Sequence, residues 1–99
     1  MRLKVRFLPE AREEFDRATD WYTDRSKVLA RDFVARVREV IKSITANPRI
    51  HATIHGDVRK AVVARFPYIV LYREENGELI VVSVFHTSRN PAEWQSRVD

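Results

Sequence analysis

The dipeptide Asn76-Gly77, set between the apolar runs Tyr68 to Arg73 and Glu78 to His86, constrains this chain more than any other feature. Both residues accept the positive φ that a two-residue turn needs, so the runs predict an antiparallel hairpin closed at that turn. Pairing Glu75 with Glu78 sets Tyr68 opposite Phe85, Val70 opposite Ser83 and Tyr72 opposite Val81 on one face. The other face then carries Ile69, Leu71, Arg73, Ile80, Val82, Val84 and His86. Both faces are apolar, and a sheet of that kind must be covered on two sides.

The rest of the chain supplies one cover. Leu3, Val5 and Phe7 alternate with Arg2, Lys4 and Arg6, the period of a strand with one wet, basic face. Pro9, followed by Glu10, Glu13 and Glu14, opens a helix from about residue 9 to 24, with Ala11, Phe15, Ala18 and Tyr22 along one stripe. A break at Asp24-Arg25-Ser26 leads to a second helix, in which Leu29, Ala30, Phe33, Val34, Val37, Val40, Ile41 and Ile44 repeat at helical spacing. It should stop near Asn47-Pro48, because the residue before proline is pushed out of the α region. Two amphipathic helices joined this closely make an antiparallel helical hairpin. After a loop from Pro48 to Gly56, a strand over Val58 to Phe66 precedes the β-hairpin, and Pro91 can start a short C-terminal helix.

The expected fold is therefore α+β: a four-stranded antiparallel sheet with an N-terminal helical hairpin on one face, in the order β-α-α-β-β-β plus a short C-terminal helix. A length of 99 residues with 44% hydrophobic positions suits one domain. With no cysteine, disulfides and thiolate metal sites are excluded. The alternating N-terminus is no secretory leader and no apolar run approaches the ~20 residues of a membrane span, so a cytoplasmic protein without membrane association is expected. Eighteen basic against 14 acidic residues give a net charge of +4, which permits a polyanionic partner without requiring one. Because one helical hairpin covers only one sheet face, Ile69, Leu71, Ile80, Val82 and Val84 are expected to form an apolar groove for a partner.

The ordered set Ala18-Thr19-Asp20-Trp21-Tyr22, Ile44 to Pro48, His55 to Ala61, Arg65 to Arg73 and Val84 to Pro91, with Trp94 beyond, resembles the RelE/ParE superfamily of bacterial toxins over nearly the whole chain. The resemblance implies a toxin of a type II toxin-antitoxin pair, held inactive in a hetero-oligomer by a co-expressed antitoxin that would occupy that groove. It also implies one of two targets: DNA gyrase for relatives similar to ParE, or messenger RNA on the ribosome for nucleases similar to RelE. A toxin relative that only binds its antitoxin is a third reading.

Cleavage through the ribose 2′-hydroxyl needs proton transfer and cations aimed at the charge that builds on phosphorus. His86 is the candidate acid or base, and Arg59, Lys60, Arg65, Arg73 and Arg89 are candidates to hold phosphate or an acidic target, with Trp94 either an aromatic contact or folded back to close the lower end of the core. Ile69 stands where RelE-like nucleases typically carry Arg, on the same expected face as His86, which favours the ParE-like branch. Trp94 stands where some of those nucleases place a Tyr, and indole is neither acid nor base. His51 and His55 lie in a loop without a third ligand, so no metal is assigned, and no cofactor is expected. Glu13-Glu14 and Glu74-Glu75 read as surface charges, and Trp21 and Tyr22 as packing residues.

Overall fold

A computed structural model describes residues 2–99. The elements run β1 (Lys4–Phe7), α1 (Pro9–Thr23), α2 (Lys27–Ala46), β2 (Thr53–His55), β3 (Val58–Val62), β4 (Tyr68–Glu75), β5 (Glu78–His86) and α3 (Ala92–Gln95). Local chemistry sets the ends. Leu8 caps α1 in an extended conformation with Pro9 in its first turn. The Ser26 hydroxyl accepts the Leu29 amide at 3.2 Å to start α2, and Asn47 leaves helical geometry just before Pro48. Asn76 and Gly77 have φ of 51° and 78°, as the hairpin turn requires.

The sheet has five strands in the order β1-β5-β4-β3-β2, not the four expected. Thr53–His55 forms an edge strand that turns back into β3 through Gly56-Asp57, a segment too short to show a period. The first strand is also parallel to its neighbour β5 rather than antiparallel. The helical hairpin carries the chain from β1 at one edge of the sheet to β2 at the other, where it runs in the opposite direction.

A β-bulge at Val82 changes which residues share a face. Tyr72 pairs with Val81 as expected, but Leu71 pairs with Ser83, Val70 with Val84, Ile69 with Phe85 and Tyr68 with His86. One extra residue on β5 inverts the alternation beyond it. Val84 and His86 thereby move to the helix side, and Phe85 takes the outer side with Ile69. Ile69 and His86 are on opposite faces, which removes the expected apolar replacement of a cation beside the histidine.

The main core lies between the helical hairpin and the sheet. Phe33 is fully buried there against Phe15, Tyr22, Phe66 and Tyr68, with ring centroids 5.1–5.9 Å apart. A second core fills the outer side, where Trp94 of α3 packs with Val58, Leu71, Val82 and Phe85, flanked by Leu8, Ile69 and Val98. The apolar groove expected over Ile69, Leu71, Ile80, Val82 and Val84 is therefore closed. Leu71, Ile80 and Val82 are buried and Ile69 is half-buried on the outer side, while Val84 faces the helices. Trp94 and Val98 of the tail supply the cover, packing in one cluster with Val58, Leu71, Val82 and Phe85.

Burial raises the hydroxyl pKa of Tyr22, Tyr68 and Tyr72 above 10.0. The folded state then holds protons that the unfolded chain releases, so their contribution to stability is complete below about pH 10 and is lost as pH rises through the folded values. Tyrosinate absorbance should rise together with loss of helical circular dichroism in an alkaline titration. Ionisation complete before any unfolding would contradict this.

Candidate functional site

A cleft of about 410 Å³ opens between the second half of α1 and the ends of β4 and β5. Glu14, Arg17, Ala18 and Trp21 line it because positions three and four apart share one face of a helix. Tyr68, Val84 and His86 face them from the sheet, and Arg89 comes from the segment after β5. His86 and Tyr68 pair across the bulged hairpin with ring centroids 5.0 Å apart.

The backbone amide of Ser88 donates to His86 Nδ1 at 3.1 Å, and the Ser88 hydroxyl lies 2.8 Å from the same atom. An amide can only donate, so Nδ1 is the acceptor and the neutral ring carries its proton on Nε2. Burial raises the Tyr68 hydroxyl pKa; nearby Tyr22 and Glu14 add to the rise and Arg89 opposes it. Tyr68 thus stays a neutral donor at physiological pH.

The charged groups are largely engaged already. Arg89 Nε lies 3.0 Å from Glu93, and Arg17 pairs with Glu13 one turn back. Glu14 receives both terminal nitrogens of Arg97 at 2.9 and 3.0 Å, and its Oε1 also accepts the Ser83 hydroxyl at 2.9 Å. Arg97 donates as well to the carbonyl of Val82, the bulged residue, at 3.0 Å. There β1 has already turned away, Leu8 giving the last bond to Val81. The tail therefore caps the strand edge that the bulge and the short β1 leave open. The Glu14 bonds hold the Arg97 guanidinium above its usual range. Trp21 is 50% exposed at the rim, with the Arg25 guanidinium 3.3 Å over its ring.

Of the six residues expected to bind a target, only Arg89 lines the cleft. Arg59 is half-buried and donates to the His51 carbonyl in the loop after α2. Lys60 is exposed on the outer face opposite Leu71, and Arg65 sits in the β3–β4 turn with φ 71°. Arg73 lies near Asp57 and Glu75. Trp94 is 3% exposed, so of its two readings the target contact is corrected and the core closure holds: the ring packs in the outer core, with His55 edge-on at 5.4 Å. His55 in turn meets Asp99 at 2.7 Å. Sequence reasoning missed Glu14, Arg17, Tyr68 and Arg97. Only a ladder count that included the bulge could have placed Tyr68 beside His86.

A helical hairpin on a five-stranded sheet, with a cleft along α1, defines a small α+β fold. It is similar to a solved structure described as a chromosomal ParDE TA system from P. aeruginosa, at 17% identity and TM-score 0.75, covering 87% of this chain and 97% of that one. It is also similar to a YoeB dimer from Staphylococcus aureus, at 16% identity and TM-score 0.57, covering 85% and 95%. No curated protein matches the sequence. The family model for the ParE toxin of the parDE type II toxin-antitoxin system matches residues 5–91. The chain belongs to that family.

Proposed function

We propose that this protein inhibits DNA gyrase and is neutralised by a co-expressed antitoxin. The match to the ParE toxin family over residues 5–91 carries this reading. The cleft supports it, because a nuclease must meet new charge on phosphorus with uncommitted cations. Here Arg17 and Arg89 are each paired with a carboxylate, and Glu14 is occupied by Arg97. With the outer face filled by the tail, the antitoxin docks elsewhere than the apolar groove read from sequence. Among the described residues no helix is long and apolar enough to cross a membrane.

A ribosome-dependent nuclease is the second reading, favoured by the convergence of His86, Tyr68 and Arg89 on one cleft. Induction without antitoxin separates the two. The gyrase reading expects relaxed reporter plasmid, a DNA-damage response and loss of supercoiling by purified gyrase, while His86→Ala stays toxic. Cut transcripts with supercoiling intact, and toxicity abolished by His86→Ala, would replace it with the nuclease.

A further inference from the structure

Helix α2 sorts its charges by side. At about 100° per residue, Lys27, Arg31, Arg38 and Lys42 fall within roughly 60° of arc, beside the seam with α1. Both acidic residues of α2, Asp32 and Glu39, lie on the far flank, where Arg36 pairs with them at 3.3 Å. All four cations in the stripe are exposed, and among the described residues none has a carboxylate within ion-pair distance. Most other arginines of the protein are paired or bonded to a backbone carbonyl, which makes this concentration of free charge local.

Arg2 extends the row. The amide of Leu3 donates to the Thr45 carbonyl at 3.1 Å, which ties the N-terminal segment alongside the end of α2, and Arg2 lines one shallow groove with Arg38 and Lys42. Arg38 also borders a second groove of about 470 Å³ with Lys27 and Arg31, so the two grooves form one continuous strip. At about 1.5 Å per residue, Lys27 to Lys42 spans about 22 Å.

We propose that this strip binds the phosphate backbone of duplex DNA. Its cations come as two pairs, Lys27 with Arg31 and Arg38 with Lys42. The gap from Arg31 to Arg38 is about 10 Å along the axis, close to the ~12 Å width of a duplex major groove. Between them on this face stand only Val34 and Ala35, so a convex partner can approach the helix. Each pair then meets the backbone on one side of the groove. Along the groove from Lys27 to Arg38 the apolar side chains are Ala30, Val34 and Ala35, too small to anchor an acidic peptide; the larger Leu3, Phe7, Phe15 and Ile41 line the groove beyond Arg38. The four cations are assigned to phosphates on either side of the groove and not to base edges, so the contact is independent of sequence.

The test is fluorescence anisotropy of the full chain with a labelled random-sequence duplex of about 20 base pairs over a salt series, with neither gyrase nor antitoxin present. Failure of this binding therefore leaves the gyrase reading untouched, and failure of the gyrase reading leaves this one untouched. Each phosphate contact contributes a log–log salt slope of about −0.9, so a slope near −4 is expected. The double substitution Arg31→Gln/Arg38→Gln should make the slope shallower by about two and weaken binding roughly a hundredfold at about 50 mM salt. Circular dichroism should show this variant folded, since neither side chain contacts a carboxylate. Arg6→Gln/Arg49→Gln removes the same charge from off the strip, at residues paired with Glu78 and Glu74, and should keep the steep slope. The proposal is overturned by no binding at low salt, by equal losses in the two variants, by tighter binding of a single strand of equal charge, or by displacement of the duplex by polyglutamate at equal charge.

Discussion

Trp94→Ala should destabilise the fold by about 3–5 kcal/mol, the usual cost of emptying a buried tryptophan site. That is a large share of the 5–15 kcal/mol that holds a typical domain together. The ring is 3% exposed and closes the outer core over Leu71, Val82 and Phe85, all themselves buried. Four-residue α3 has no stability of its own, since isolated helices this short do not persist in water, so the tail stays docked only through its side chains. Losing Trp94 should therefore also free Val98 and wet the outer face. Urea unfolding should show a lower midpoint, and a dye that reports exposed apolar surface should bind the native variant. Trp21→Ala, at a half-exposed rim position, should shift the midpoint far less. Equal midpoints for wild type and Trp94→Ala would show that the tail is no part of the core.

Arg97→Met should cost about 2–4 kcal/mol, because removing one member of a buried ion pair leaves the other charge desolvated without a partner. Glu14 and Arg97 side chains are 10% and 15% exposed, so water can soften the loss only in part. The substitution also strands the Val82 carbonyl and leaves Glu14 Oε2 without its donor. Glu14→Leu/Arg97→Met should recover much of the stability, since the pair is replaced by apolar groups rather than broken. A double-mutant cycle by urea unfolding measures this directly. Additive losses would mean that the two groups do not act as a unit. Because Glu14 also faces the cleft, the cycle asks whether the tail and the cleft are linked.

Much of the architecture was legible because it rests on local rules. Pro9, Ser26 and Asn47-Pro48 bound the helices through backbone geometry, and Asn76-Gly77 closes the hairpin by its tolerance of positive φ. The site was not legible, and one residue shows why. Val82 is an ordinary β-branched strand residue with nothing to mark it as an insertion, yet its bulge moves His86 across the sheet and separates it from Ile69. Tyr68, read as a face residue opposite Phe85, becomes the neighbour of His86 by the same shift. Glu14 looked like a helix-surface charge because its partner Arg97 lies 83 residues away.

Sequence alone therefore determined the periods, the stops, the turn and the demand for two covers on an apolar hairpin, all of which depend on a residue and its near neighbours. Only the tertiary structure decided what supplies the second cover. Trp94, Arg97 and Val98 are drawn onto the outer face by a strip of unburied sheet and an open strand edge, and neither exists until distant strands have paired.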